Sequence, residues 1–338
     1  MLSWRLLLGL LPVRGPPAKQ TAILYKQLAY DSVHTGSGLL AMKSHPQSEL
    51  PPNTQCCAGR AGGEQGQISR WPDLPGVELL TADFKHHSYV PHWHDAFMVA
   101  LVAAGCERVQ LAGTQRNVVP GDVVLLNPGE IHDGEAFDAN IGWDFRVFYL
   151  AVEVLDEAAE DLRGTGDRTG VFEDSVITDP AMWRSLLDLH ATLSRSDSLL
   201  ERSSSLFAGL SRLMSRSSSR GRELKAMIAP LSLERAREYL QARWAKAVSL
   251  DELAEVAGLS RFHLLREFRK RYGLPPHAYQ LQLRILRAKE MLFLGMPPGD
   301  VALKVGFYDQ AHFTHALKRY VGVSPRRIFE YAGLPPEK

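Results

Sequence analysis

Two stretches near the C-terminal end of the 338-residue chain follow the same pattern, and this repeat constrains the fold more than any other feature. Residues 253–260 match residues 301–308 at an offset of 48, including the dipeptide Val-Gly or Ala-Gly in each turn. After the turn the offset becomes 49, and the paired positions are His263 with His312, Leu264 with Phe313, Arg266 with His315, Phe268 with Leu317, Arg269 with Lys318, Gly273 with Gly322 and Pro276 with Pro325. Matches at a nearly constant offset indicate two copies of one structural unit.

Each copy has the pattern of a helix-turn-helix: a short helix, a tight turn with glycine, and a longer helix that ends at Gly and Pro. In the first copy, Ser249 and Glu252 have the spacing of a capping box, which defines where the short helix begins. Gly258 can adopt the left-handed conformation that often ends a helix. We therefore predict helix-turn-helix units over about residues 250–272 and 299–320.

A single helix is predicted to join the two units. Apolar residues recur at i, i+4, i+7 and i+11, which places them on one helical face. They are Leu281, Ile285, Ala288 and Leu292. Such a helix would fix the distance between the two longer helices. If these helices enter successive major grooves on one face of DNA, they must lie about 34 Å apart, which is one turn of the duplex.

The charge distribution and the cysteine content indicate which binding partner and which cellular compartment to expect. Residues 231–338 hold 18 Lys and Arg against 11 Asp and Glu, whereas the preceding residues hold 21 against 27. A basic C-terminal part suits an anionic partner, although a solvated basic face remains the alternative. With only three cysteines, two of them adjacent, we expect a reducing cytoplasm. We predict no membrane span, because no stretch after the N-terminal segment reaches about 18 apolar residues.

Upstream of the repeat, the spacing of apolar and turn-forming residues changes several times along the chain. Residues 1–70 show no sustained period and are expected to be disordered, or to be an extension before a true start at Met42. Short apolar runs broken by Gly, Pro and Asn then predict strands of a barrel or sandwich. Helices are expected at 181–193 and 199–214, with a linker at Arg220–Arg222. The predicted divisions are 1–70, the strand domain 71–180, a helical dimerisation and linker region 181–222, and a helical domain 223–338.

The repeat residues resemble those of a known family, the AraC/XylS transcription regulators. The resemblance rests on Ala302, Val305, Gly306 and Phe307, and then on His312-Phe313, Leu317-Lys318-Arg319, Gly322 and Ser324-Pro325. Arg284, Ala288 and Leu292 fit the linking helix of that family. The resemblance implies a cytoplasmic activator or repressor that binds double-stranded DNA.

The resemblance also implies roles for individual residues. Base-reading positions would be Phe262, Leu265, Arg266, Gln310, Ala311, Thr314 and His315. Phosphate contacts would come from Arg269, Lys270, Lys318 and Arg319. Arg266 is the strongest single candidate, because arginine can bond guanine O6 and N7 together. An exposed side chain that contacts nothing specific, or a packed Phe262, remains the alternative.

The second unit departs from the family at two positions. Gly299 stands where a larger apolar residue is usual, and His315 stands where arginine is more common. Glycine in a helix costs about 0.5–1 kcal/mol relative to alanine, so the second unit is expected to be looser. We therefore expect the first unit to supply more of the base discrimination.

The strand domain contains His92 and His94, the pair Gly121-Asp122, and His132 after a turn at Asn127–Glu130. Together these residues resemble a cupin barrel of the type fused to AraC regulators, over about residues 80–150. His92 and His94 would share one face of a strand because alternate residues point the same way. The predicted fold is thus a cupin-like β-barrel followed by an all-α domain with two helix-turn-helix units. The pocket for an unknown small-molecule effector is assigned to His92, His94, Glu130, His132, Trp143 and Arg146.

Metal binding is not predicted for this barrel. Cupin enzymes usually add a glutamate to their histidines, but the corresponding position lies near Met98 or Val99, and Asp95 is on the opposite side from His94. Three histidines alone are sufficient ligands for zinc, so a three-histidine site, an effector pocket and structural hydrogen bonds remain open. We expect no metal and no other cofactor.

The predicted function is transcription regulation rather than catalysis. The alternative is a metal-dependent cupin enzyme with a helical appendage, against which the missing glutamate argues. An alkylation-repair protein is discounted because Cys56, Cys57 and Cys106 lack the spacing of a metal-held reactive set. The expected partners are DNA, the effector, RNA polymerase and a second copy of the chain bound through 181–214.

Overall fold

The structure is a computed structural model that describes residues 64–111, 113–163, 172–217 and 230–331. Ten strands and three helices precede the gap at 218–229 in the described part, and seven helices follow it. The predicted fold class, a cupin-like barrel followed by an all-helical domain, is confirmed. The linker predicted at Arg220–Arg222 lies outside the described residues, as do residues 1–63.

The barrel consists of two antiparallel sheets. The strands are β1 (Gln65–Arg70), β2 (Val77–Phe84), β3 (Ser88–His92), β4 (Phe97–Gly105), β5 (Glu107–Leu111), β6 (Thr114–Val118), β7 (Asp122–Leu126), β8 (His132–Ala136), β9 (Trp143–Leu150) and β10 (Val176–Thr178). One sheet has the order β1-β2-β9-β4-β7-β10 and the other β3-β8-β5-β6. Every residue of β7 is buried, because both faces of that strand are covered.

Three helices cover the outer face of the larger sheet. They are α1 (Val152–Arg163), α2 (Pro180–Arg195) and α3 (Leu199–Ser217). Asp179 caps α2 by accepting hydrogen bonds from the backbone N–H groups of the first turn. Leu186 and Leu210 of these helices pack in one cluster with Leu101 and Phe148 of the sheet. The helices predicted at 181–193 and 199–214 correspond to α2 and α3 to within three residues at each end, whereas α1 was not predicted.

The barrel begins earlier than the sequence predicted. Strand β1 lies inside the segment 1–70 that was expected to be disordered, and it pairs with β2 from Gln65 to Arg70. The sequence pattern of β1 predicts a strand only weakly, because an edge strand is ordered by pairing with its neighbour and not by its own apolar residues. Ile68 is its only strongly buried large side chain.

The helical domain contains both predicted units and the helix that joins them. Its helices are α4 (Leu231–Ala242), α5 (Leu250–Ala257), α6 (Arg261–Tyr272), α7 (Pro276–Phe293), α8 (Pro298–Lys304), α9 (Gln310–Val321) and α10 (Pro325–Tyr331). The predicted joining helix is α7, which buries Ile285, Ala288 and Leu292. The first unit comprises α5 and α6, and the second comprises α8 and α9.

The barrel packs directly against α7 and the second unit. Ile285, Leu292 and Leu317 belong to the same hydrophobic cluster as the barrel residues Phe84 and Val147. The backbone at Gly66 also accepts a hydrogen bond from Arg327 of α10 at 3.0 Å. Residues of α7, α9 and α10 therefore all contact the barrel directly.

Candidate nucleic-acid interface and effector pocket

The first unit is rigidly capped at its helix ends. The side chain of Ser249 accepts from the backbone of Glu252, and the Glu252 carboxylate accepts from the backbone of Ser249, so the predicted capping box is confirmed. Gly258 ends α5 in the left-handed conformation. Ser260 then caps α6 by accepting from the N–H of His263 at 3.3 Å. The orientation of α6 is thus fixed at its N-terminal end.

One face of α6 packs in the core and the other is exposed to solvent. Leu264, Phe268 and Tyr272 are buried. Phe262 is 75% exposed, which excludes the packed alternative for this ring. The Arg266 side chain is 62% exposed and donates from Nε to Glu267 at 3.0 Å, and Leu265 is half-buried. This arrangement is consistent with a helix that presents Phe262 and Arg266 to a groove.

The second recognition helix, α9, has the same division of faces. Asp309 caps it by accepting from the N–H of His312 at 2.6 Å. The buried face is formed by Phe313, Ala316, Leu317 and Tyr320. The predicted reading residues Gln310, Ala311 and His315 are exposed and Thr314 is half-buried. In each unit the predicted reading positions therefore lie off the buried face, and all of them are exposed except the half-buried Leu265 and Thr314.

The predicted phosphate contacts lie toward the C-terminal ends of the two recognition helices. Arg269 and Lys270 are exposed in the last turn of α6, and Lys318 and Arg319 are exposed in the last turn of α9. The short helix α8 differs from α5, because no side chain caps its start at Pro297. The expected asymmetry between the units thus has a local counterpart in their helix caps.

Arg284 of α7 connects the loop before the first unit with the turn of the second unit, a role that sequence reasoning missed. Its guanidinium donates to the backbone oxygens of Trp244 at 2.9 Å and Lys246 at 3.0 Å, before the first unit. It also donates to Gly306 in the turn of the second unit at 2.9 Å. The sequence placed Arg284 in the joining helix, but its partners are 38–40 and 22 positions away.

The barrel interior holds a small cavity of about 30 Å³. Its wall includes three of the predicted pocket residues, which are His92, His132 and Trp143. His92 and His132 come together because they are paired residues of β3 and β8. Their ring centroids lie 4.3 Å apart, and His94 lies 4.9 Å from His92 and 5.1 Å from His132.

His92 and His94 do not share one face of a strand, so that prediction was wrong. Strand β3 ends at His92, so His94 lies in the following loop and not on a shared strand face. The loop is held by a hydrogen bond from the N–H of Gly129 to the His94 carbonyl at 2.8 Å. The imidazole of His94 therefore reaches the cluster from a loop, at the edge of a larger cleft of about 450 Å³.

Besides His94, two predicted pocket residues do not line the cavity, namely Arg146 and Glu130. Arg146 points to the other face of β9, where it pairs with Asp144 on a separate surface pocket, because alternate residues of a strand face opposite ways. Glu130 closes its own turn by accepting from the backbone and side chain of Asn127 at 3.1 and 2.8 Å. Neither side chain lines the cavity beside Trp143.

The cavity contains acidic and phenolic groups that sequence reasoning missed. Glu107 lines it, and burial raises the pKa of this carboxyl to about 8. Tyr89 and Tyr149 also line it, and burial raises the pKa of both hydroxyls above their usual value. Met98 lines the cavity near the position where a cupin enzyme would place glutamate. Glu107 was overlooked because its burial depends on the pairing of β5 with β8.

Burial also controls the charge of the three histidines. It lowers the pKa of His92 and His94 well below the usual value, with a further effect from the neighbouring imidazoles. It lowers the pKa of His132 to about 4. All three rings are therefore neutral near pH 7.

Comparison with known proteins identifies two domains in the chain. Residues 74–233 match the family model described as AraC-like ligand binding domain, and residues 253–331 match a helix-turn-helix domain. The HTH-type transcriptional regulator YbfI of Bacillus subtilis (strain 168) is 31% identical over 222 residues, which span 65% of this chain and 80% of that protein. The chain belongs to the AraC/XylS family of transcription regulators.

Two further known proteins match a smaller part of the chain or its fold alone. The HTH-type transcriptional activator AarP of Providencia stuartii is 35% identical over 88 residues, 26% of this chain and 65% of that protein. An apo variant of ToxT from Vibrio cholerae strain SCE256 has a TM-score of 0.50 and 13% identity, covering 76% of this chain and 97% of that one. The likeness to ToxT shows a shared two-domain fold.

Family membership establishes the coarse function. The chain is an AraC-type DNA-binding transcription regulator with an N-terminal ligand-binding domain, and its relatives are regulators rather than enzymes. The alternative of a cupin enzyme is not favoured. Among the described residues, no helix combines the length and apolarity required to cross a membrane.

Proposed function

We propose that this regulator binds a bipartite DNA site by inserting α6 and α9 into successive major grooves. The observation that carries the proposal is that each recognition helix is capped and buries one apolar face, while its predicted reading positions are exposed or, at Leu265 and Thr314, half-buried. In this proposal the base-reading residues are Phe262, Leu265, Arg266, Gln310, Ala311, Thr314 and His315. Arg269, Lys270, Lys318 and Arg319 would bind phosphates, which gives affinity without sequence discrimination.

The separation of the two recognition helices is central to this proposal. Arg284 bonds to backbone on both sides of α7, and such charge-assisted bonds resist relative motion of the units. The half-sites should then lie about 10–10.5 base pairs apart, one turn of DNA. The two units are not related by symmetry, so the site should be asymmetric.

We further propose that an effector in the barrel changes DNA binding through α7. The support is the direct packing of the barrel on that helix and the cleft of about 450 Å³, which is lined by His94 of the barrel and by Lys289 and Glu290 of α7. An effector that binds one arrangement of this interface more tightly shifts the population toward it. The pocket residues in this proposal are His92, His94, His132 and Trp143.

Assembly and compartment also belong to the proposal. Helix α3 buries Leu206 and Leu210 against the barrel but leaves Leu200 76% exposed, which suits a dimer contact through residues 181–214. Sedimentation of the full chain and of Leu200→Glu tests this: a monomer in both cases excludes the contact.

Contact with RNA polymerase is proposed only from the similarity to AarP, which is named as a transcriptional activator. A cytoplasmic location is proposed because the DNA target lies there.

Selection of bound sequences from random duplex DNA by the purified full chain tests the proposed function. We expect an enriched asymmetric motif with two half-sites one helical turn apart. The double variant Phe262→Ala, Arg266→Ala should lose enrichment of one half-site, whereas Arg326→Ala, an exposed residue of α10, should retain both. Failure to enrich any motif above the input library would overturn the proposal.

A further inference from the structure

Three imidazoles converge where the barrel meets the helical domain. The nitrogen atoms that His92, His94 and His132 can offer all lie within 4.8 Å of one another. His92 and His132 are buried, and His94 is half-buried at the edge of the cleft. The ring of Tyr320 from α9 lies 6.5 Å from that of His92, so the cluster is close to the second recognition helix.

Hydrogen bonds fix which nitrogen of each buried ring carries the proton. Nδ1 of His92 lies 2.7 Å from the Val90 carbonyl, and Nδ1 of His132 lies 3.1 Å from the Glu130 carbonyl. A carbonyl only accepts, so each Nδ1 is protonated and each Nε2 keeps its lone pair. Metal-bound histidines show this same backbone orientation.

The third ring, that of His94, has a nitrogen that could bind an ion. Nε2 of His94 is buried and has no hydrogen-bond partner among the described residues. A buried polar atom without a partner is costly and calls for an explanation such as an ion or a water molecule. One ion bound by all three rings would satisfy this nitrogen together with the two lone pairs.

We propose that His92, His94 and His132 bind one divalent ion of the late first-row transition metals, with Zn²⁺ as the reference case. Neutral imidazoles suit zinc, copper and nickel, whereas Mg²⁺ and Ca²⁺ prefer oxygen ligands. Three protein ligands leave a fourth position for water or another small ligand. No carboxylate is required in this set, which separates it from the cupin enzyme pattern that the chain lacks.

The size of the site and its access fit a small ion. Zinc bonds to imidazole of about 2.0–2.1 Å place tetrahedral nitrogens about 3.3 Å apart, so the rings must approach one another. The cavity of about 30 Å³ beside His92, His132 and Glu107 matches the volume of one water molecule. The cleft that reaches His94 offers a path from solvent.

Closure of the rings around an ion would act on the joining helix. Trp93 lies between two of the ligands, and its carbonyl accepts from Nε2 of Gln282 in α7 at 3.0 Å. Its ring packs 6.0 Å from Tyr279 of the same helix. Movement of residues 92–94 therefore changes the contact with α7. This step rests on the proposed function, in which α7 carries the barrel state to the recognition helices.

Titration of the chelator-treated full chain with Co²⁺ tests the site, because four-coordinate Co²⁺ absorbs visible light. We expect saturation at one ion per chain, competition by Zn²⁺ and none by Mg²⁺. His94→Gln should abolish this signal without loss of folding, since the Nε2 that it replaces makes no hydrogen bond. His190→Gln is the matched control, a buried histidine of α2 outside the cluster, and should retain it.

The outcomes separate this site from the proposed function. No saturable Co²⁺ signal, or an unchanged signal in folded His94→Gln, overturns the metal site. If DNA selection with the metal-free chain still yields a motif in that case, DNA recognition stands without the site. A Co²⁺ signal that depends on the three histidines, in a chain that selects no DNA motif, would support the site and refute the proposed function.

Discussion

Nζ of Lys289 in the joining helix donates to Oε1 of Glu78 in β2 at 2.8 Å. Both side chains are nearly buried, so this ion pair lies inside the contact between the barrel and α7. Arg70 binds the same carboxylate and also Glu290 of α7, at 2.9 Å. A charged network thus connects the first strands of the barrel to the helix between the two DNA-binding units.

Replacing Lys289 with methionine should weaken this interface. Glu78 would keep Arg70 but lose one charge-assisted hydrogen bond, a loss of about 1.5–3 kcal/mol in the free energy of unfolding. Equilibrium urea unfolding of both proteins measures the difference. Lys304→Met, at an exposed position of α8, should change it by less than about 0.5 kcal/mol. Equal losses in the two variants would show that the pair does not stabilise the interface.

Arg266→Ala should relax base discrimination more than His315→Ala. A bidentate arginine–guanine contact is worth about 1–3 kcal/mol, or roughly 5- to 150-fold in affinity between the right and wrong base. Histidine at position 315 has no such bidentate geometry. Affinities for operator sites with single base changes measure both effects. A larger loss of discrimination for His315→Ala would reverse the ranking of the two units.

Gly299→Ala should stabilise the second unit. A Cβ at Gly299 would meet only the side-chain oxygen of Gln310, at 3.6 Å, so there is room for alanine. The expected gain is about 0.5–1 kcal/mol in the free energy of unfolding, measured with urea. Gly306→Ala is the opposite case, because φ is +83° and a Cβ would lie 2.4 Å from the Ala245 carbonyl. Destabilisation by both changes would contradict this account of Gly299.

His190 should make the chain less stable in mild acid. Burial, with a smaller effect from Arg146, lowers the pKa of His190 to about 4. The unfolded chain, with a pKa of about 6.5, takes up this proton first, so stability is present above pH 6.5 and falls toward pH 4. His190→Gln should therefore show a shallower decline of unfolding free energy over that window. An identical slope in the two proteins would exclude a contribution from this histidine.

Local patterns carried much of what the sequence predicted correctly. The capping box at Ser249, the left-handed Gly258 and the apolar face of α7 depend on residues that are close in sequence. Arg146 and Glu130 were assigned to the wrong place, because strand direction and turn closure decide where each side chain points. Helix α1 and strand β1 were missed because both are ordered mainly by the elements that they pack against.

The sequence by itself determined the family and the two recognition helices, since a repeat at nearly constant offset and its helix caps are local features. Only the tertiary structure decided how the predicted pocket residues meet in the barrel, and that Arg146 and Glu130 do not line its cavity. Pairing of β3 with β8 brings His132 beside His92 from 40 positions away, and it buries both rings so that they stay neutral. Burial and register come from the whole sheet, so no pattern within a single strand could reveal them.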